Sequence, residues 1–204
     1  MPSGFVKQAV VGSVVIELLG LNGDEQADLR VHGGPDKAVY CYPVEHYARR
    51  RAMAPSYAPL LLVPGGFGEN LTTEGFDEGC VSIGDIFRIG QATVQLTQPR
   101  QPCFKLALRF LDPQIVRTMV RSGLSGWYFR VLEPGPVQAG ALMTLIDHPN
   151  PAWSITRCNR LIGGSGGTLS EMAELADPPG LALGWQKNAR AALDAVSTAK
   201  RRGA

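Results

Sequence analysis

Between residues 80 and 97 three short apolar runs, 80–83, 86–89 and 92–97, are separated only by the turn pairs Gly84-Asp85 and Gly90-Gln91. Runs so short suit strands better than helices, and turns so tight leave no room for crossover helices, so this region is predicted to form an antiparallel meander or barrel wall. The same punctuation recurs elsewhere. With 24 Gly and 15 Pro among 204 residues, and 45% hydrophobic against 19% charged positions, the chain reads as a turn-rich globular protein with a core of its own.

Further strands are predicted over residues 9–21, 38–42, 126–132 and 140–146, with Glu133-Pro134-Gly135-Pro136 as the turn between the last two. A helix starts at Pro43 with Val44, Tyr47 and Met53 inward and Arg49-Arg50-Arg51 outward; two more span 105–110 and 113–122. At His148-Pro149-Asn150-Pro151 the composition shifts, and beyond it three helices are predicted at 154–161, 168–176 and 181–198. The expected organisation is a β unit over residues 1–148 and a small three-helix unit over 152–200. Because every candidate site residue lies before Pro151, a chain ending there is expected to fold and keep its site.

The 20 basic and 18 acidic residues give a net charge of +2, too little for a nucleic-acid polymer binder, which concentrates cations to displace phosphate counterions. The first seven residues lack the pattern of a secretory signal and no apolar run reaches membrane-spanning length, so a cytoplasmic protein with no membrane partner is expected. Cys41, Cys80, Cys103 and Cys158 form no CxxC pair, which argues against a structural zinc site or a disulfide framework. Cys41 reads as core. His46 and His148 have no ligand-spaced partners and read as surface residues, and Trp127, Trp153 and Trp185 read as packing anchors.

The sharpest chemical feature is Gln98-Pro99-Arg100-Gln101-Pro102-Cys103-Phe104-Lys105. Two prolines stiffen the approach to Cys103, and Arg100 and Lys105 flank it with positive charge, which favours the nucleophilic, metal-binding thiolate over the alternative of a small buried hydrophobe. A second feature is the pair of stretches Gly20-Leu-Asn-Gly-Asp24 and His32-Gly33-Gly34-Pro35-Asp36-Lys37. Its glycines could bring backbone N–H groups to an anion, or could simply make hairpin turns, and both readings stand at this level. No Ser-His-Asp or paired-carboxylate arrangement is visible.

Four ordered segments, residues 20–42, GFGENLTTEG at 66–75, VSIGDIFRIG at 81–90 and QPRQPCFKL at 98–106, resemble the MOSC domain family in its YiiM-like branch over about residues 3–150. The resemblance implies a mainly β fold, a MOSC-type β-barrel followed by three C-terminal helices. It further implies a molybdenum cofactor of the molybdopterin type, with Cys103 as metal ligand and catalytic residue. Ser3 and Lys7 match an early motif of the family, His32, Gly33 and Lys37 a second, Glu69 and Asn70 a third, and Arg100 and Cys103 the fourth. Lys7, Lys37 and Arg100 would neutralise the cofactor phosphate, and Asn70 and His32 would bond the pterin edge. Glu69 could orient a neighbouring donor, deliver protons or be a turn residue.

The activity implied is reduction of small N-hydroxylated compounds such as hydroxylaminopurines and amidoximes. Since no flavin, haem or iron–sulfur motif is visible, electrons would come from a separate flavin-type reductase. A homodimer is an option for the assembly. The alternative is a carrier that passes cofactor or sulfur along without turnover, and a third reading is a barrel that only binds small anions.

Overall fold

The structure, a computed structural model, describes residues 4–25, 32–54, 62–162, 168–175 and 178–202. Its strands are β1 (Ser13–Glu17), β2 (Gly20–Leu21), β3 (Val39–Pro43), β4 (Leu71–Thr73), β5 (Ile86–Ile89), β6 (Ala92–Pro99), β7 (Trp127–Glu133), β8 (Gly135–Gln138) and β9 (Met143–Asp147). Interleaved with them are α1 (Glu45–Met53), α2 (Phe104–Phe110) and α3 (Ile115–Ser122), and after them come α4 (Ile155–Ile162), α5 (Leu169–Leu175) and α6 (Leu183–Arg202). A six-stranded sheet in the order β4-β3-β7-β6-β5-β9 is mixed only at its parallel β3–β4 edge, and a three-stranded antiparallel sheet has the order β2-β1-β8. The Gln91 N–H donates to Pro136 O at 3.0 Å and joins the two. The result is mainly β with helices, as the sequence predicts. No helix among the described residues is long and apolar enough to cross a membrane.

Strand alternation divides the interior in two. Along β3, Val39 and Cys41 face one buried cluster while Tyr40 and Tyr42 face another, as a period of two requires. The first cluster packs Ile83, Phe87, Leu96, Trp127 and Phe129 against Trp153, Ile155, Cys158, Leu181 and Trp185 of the C-terminal helical region. The second packs Tyr40, Tyr42, Tyr47 and Phe67 against Leu106, Phe110 and Met119 of α2 and α3. β6 is buried along nearly its whole length and runs straight out of the core into Arg100.

The turn at Pro179-Gly180, just before α6, docks backbone against backbone on the β unit. A Cβ on Gly84 would stand 2.4 Å from Pro179 O, and one on Gly180 would stand 2.6 Å from Gly84 Cα, so only glycines allow this approach. Since burying one large apolar side chain is worth roughly 1.5–3 kcal/mol and whole domains are stable by about 5–15 kcal/mol, losing Trp153, Ile155, Leu181 and Trp185 together is decisive. A chain ending at Pro151 is therefore expected to bind a hydrophobic dye and to lose its cooperative melt. A sharp thermal transition in that fragment would instead establish the β unit as independent.

Several sequence expectations are corrected. The run 80–83 is no strand: Ser82 makes a single bridge to Ser154, because its partner segment immediately turns into α4. The predicted turn at 133–136 gives way at Gly135 to β8, which tolerates Pro136 because it lies at a sheet edge and pairs only with β1. The predicted strand 9–21 contracts to a hairpin of β1 and β2. On α1 the inward residues are His46, Tyr47 and Arg50, whereas Val44 and Met53 are exposed. Arg50 is accommodated because its guanidinium donates to Leu124 O at 2.8 Å and lies 5.8 Å from the centre of the Phe67 ring. His46 is fully buried with Nε2 2.7 Å from Glu78, and His148 Nδ1 lies 2.7 Å from the buried Asp85, so neither is a free surface histidine.

Candidate functional site

β6 delivers the first group. Pro99 ends the strand opposite Trp127, and the Arg100 N–H donates to Gly126 O at 3.0 Å. The Arg100 side chain is 4% exposed, its guanidinium carbon stands 5.1 Å from the centre of the Tyr40 ring, and its Nη1 donates to Met119 Sδ at 3.1 Å. No carboxylate forms a salt bridge with it among the described residues. Burial by itself would weaken its hold on the proton, but the phenols of Tyr40 and Tyr128 and the thiol of Cys103 outweigh this and hold the guanidinium above its ordinary value. Arg100 is therefore a buried cation in a cleft shared with Cys103.

Two residues on, Pro102 leads to Cys103, half-buried at the start of α2, with its carbonyl accepting the Leu106 N–H at 3.1 Å. Burial pushes the Cys41 and Cys158 thiols up, that of Cys158 to about 12, and desolvation also raises Cys80. Among the four, Cys103 alone lines the cleft shared with Arg100.

The N-terminal segment supplies the second wall. Phe5 lies against Gly68, where a Cβ would stand 3.1 Å from its ring, and the backbone of Lys7 lies as close to Gly65. The glycine loop is shaped from beneath by Glu69, which is buried and accepts bonds from the Gly65 N–H, the Phe67 N–H, the Thr72 hydroxyl and the Tyr47 hydroxyl. Glu69 thus organises the loop and is not among the cleft's lining residues. Lys7 pairs with Asp24, whose other oxygen accepts the Asn70 amide at 2.7 Å, and Asn70 Oδ1 accepts the Tyr40 N–H at 2.9 Å. The loop carrying His32, Gly33 and Lys37 forms the third wall. Asp36 anchors it by accepting Arg130 at 2.5 Å and the Leu183 N–H at 3.0 Å.

Lys7, His32, Gly33, Lys37, Asn70, Arg100 and Cys103, far apart in the sequence, line one cleft of about 100 Å³. Ser3 lies outside the described residues, as does the stretch 26–31. The cleft adds residues that the sequence reading did not single out: Asp24, which tethers Lys7 and Asn70, and the rings of Phe5, Tyr40, Phe67 and Tyr128. Asp24 could have been flagged, since it follows Gly23 in the glycine-bearing stretch. The tyrosines could not, because strand alternation alone does not say which face meets a cleft.

Chemically the cleft offers one sulfur donor, an excess of cations over carboxylates and aromatic walls, which suits a planar anionic ligand. Among the described residues no group of three or more His, Cys, Asp or Glu side chains could hold a bare metal ion. A metal held here would need to bring ligands of its own and take a single one from the chain. A metal carried on an organic anion meets that requirement, so the residues present fit a molybdopterin-type group.

A family model described as "MOSC domain" matches residues 28–144. Escherichia coli protein YiiM is 46% identical over 146 residues, 72% of this chain and 65% of that protein. Bacillus subtilis YflK is 38% identical over 90% of this chain and 81% of its own length. A protein of Gibberella moniliformis named "Reductase" is 36% identical over 87% of this chain, which spans only 31% of that longer protein. The crystal structure of YiiM from Geobacillus stearothermophilus superposes with a TM-score of 0.81 at 32% identity, covering 93% of this chain and 89% of that one. With the family model, relatives and fold in agreement, the chain belongs to the MOSC domain family, in its YiiM-like branch.

Proposed function

We propose that this protein binds a molybdenum cofactor in the cleft, with the Cys103 sulfur on the metal, and reduces small N-hydroxylated compounds such as hydroxylaminopurines and amidoximes. The observation that carries the reading is Arg100, a buried cation that forms no salt bridge with a carboxylate among the described residues, beside a half-buried cysteine in the same cleft. An uncompensated buried charge is costly, so its retention points to an anionic group that completes it on binding. Arg100 would hold the cofactor phosphate together with Lys37, while Lys7 stays tethered by Asp24 at the rim. Asn70 and His32 would meet the pterin edge, and Gly33, at φ 100°, keeps the backbone close on that side.

When bound, the cofactor supplies two-electron chemistry toward an N–O bond. The balance is R–NH–OH plus two electrons and two protons giving R–NH2 and water, with the electrons from a separate flavin-type reductase. The chain's own contribution is to anchor, orient and neutralise. Four free cysteines suit a reducing cytoplasm, and the fungal relative's name, "Reductase", supports the reaction class.

The test is an assay with chemically reduced viologen and several N-hydroxylated substrates. Metal-loaded protein is expected to turn over, and NADH alone to give nothing. In Arg100→Ala the cofactor occupancy should fall by about tenfold or more, the value of a charge-assisted hydrogen bond, while activity per bound molybdenum changes less. If loaded protein reduces none of the substrates, the carrier reading replaces this one.

A further inference from the structure

We infer that the C-terminal helices act as a positioning clamp on the cleft, through two polar links that their hydrophobic packing does not require. The inference rests on the anion-binding reading above. Both links start outside the cleft and end on different walls of it.

The first link starts at Asn159 on α4. Its side-chain amide donates to Gly123 O at 2.9 Å and approaches Ser125 Oγ at 3.5 Å. The loop so held carries two groups of the cleft: Ser125 O accepts the Tyr40 hydroxyl at 2.8 Å, and Gly126 O accepts the Arg100 N–H at 3.0 Å. On its other side the loop is pinned by Glu78, which accepts the Ser125 and Gly126 N–H groups at 2.9 and 2.7 Å. Behind Arg100 lies a small second cavity of about 30 Å³, bordered by Met119, Gly123 and Asn159.

The second link starts at the N-terminal end of α6. The Leu183 N–H donates to Asp36 Oδ2 at 3.0 Å across 147 positions of sequence, and the adjacent Ala182 N–H donates to Thr97 O at 3.0 Å. Thr97 in turn sends its hydroxyl to Asp36 O at 2.6 Å. Asp36 sits between Gly33 and Lys37, so the wall carrying His32, Gly33 and Lys37 is held from the helix side. The packing of these helices is supplied by Trp153, Ile155, Cys158 and Trp185. Asn159 and the Leu183 N–H are spent on the cleft loops.

Two variants cut the links while sparing the packing. Asn159→Leu keeps the size and removes the donor. Leu183→Pro removes one N–H at the first residue of the helix, where proline is tolerated, and the Leu183 side chain is 64% exposed. Glu174→Ala, which breaks an ion pair with Arg157 inside the helical region, is the control.

Calorimetric titration with inorganic phosphate separates the outcomes, because stoichiometry reports the folded fraction and the dissociation constant reports how well the site is formed. Each link variant is expected to raise the phosphate Kd about fivefold, the value of one net hydrogen bond, at unchanged stoichiometry, with the control at the wild-type value. A lower stoichiometry at unchanged Kd, or no change in either, overturns the clamp. Wild-type protein whose phosphate binding is absent, or is indifferent to Arg100→Ala, overturns the anion reading and the clamp with it.

Discussion

Replacing Cys103 with serine is expected to strip the protein of molybdenum while leaving its melting temperature unchanged or slightly raised. Cys103 occupies the N-cap of α2 in an extended conformation, φ −121° and ψ 170°, and its side chain makes no capping bond. Serine is among the preferred N-cap residues and could supply that bond, so the fold loses nothing. The metal loses its soft donor, for which a neutral hydroxyl is a poor replacement. Altering even an outer-shell partner of a metal costs about 10–100-fold in affinity, so removing the ligand should exceed that. Serine at Cys41, Cys80 or Cys158 should keep the metal, since two of those thiols are fully buried in the core and the third lies outside the cleft. Elemental analysis after gel filtration reads both results, and full occupancy in Cys103→Ser would remove this sulfur from the account.

Gly126→Ala is expected to be strongly destabilising. Gly126 sits at φ 73°, and a Cβ there would stand 2.1 Å from Cys41 O and 3.0 Å from the Tyr40 ring. The carbonyl belongs to β3, which is held on both sides by β4 and β7, so it cannot shift without disturbing the sheet. Its own N–H is held by Glu78 and its own oxygen holds Arg100, so relief by moving Gly126 breaks one bond or the other. Backbone strain and overpacking together suggest a loss of about 3 kcal/mol or more, a fall of roughly 6–12 °C in a chain this long. Thermal unfolding decides the matter. A shift under about 2 °C would mean that β3 and the loop can separate at little cost, and the rigid mounting of Arg100 would have to be abandoned.

What was legible in the sequence depended on how local the cause was. β5 and β6 follow from alternating apolar residues and the Gly90-Gln91 turn, and α2 and α3 from apolar spacing at Leu106, Phe110, Ile115 and Met119. The gathering of Lys7, His32, Lys37, Asn70, Arg100 and Cys103 in one cleft could be anticipated only from the ordered motifs of the family resemblance, since nothing local to any one of them brings it to the others.

Arg50 and His46 were not legible. Their residue types argue for solvent, and what brings them inside is the Leu124 carbonyl and the Glu78 carboxylate, 74 and 32 positions away. β8 was hidden for the same reason: Pro134, Gly135 and Pro136 are turn formers, and only the distant β1 supplies an edge against which Gly135–Gln138 can pair. The role of Glu69 also lay beyond the sequence, since a buried carboxylate with four donors around it and a solvated turn residue share the same letter.

The central claim is that Cys103 and the cations around it hold a molybdenum cofactor. Its most direct test is the molybdenum content of wild-type protein purified from a host that makes molybdopterin. The account predicts molybdenum in stoichiometric amount, released together with a pterin on denaturation. Protein that emerges folded from such a host with neither molybdenum nor pterin would contradict it.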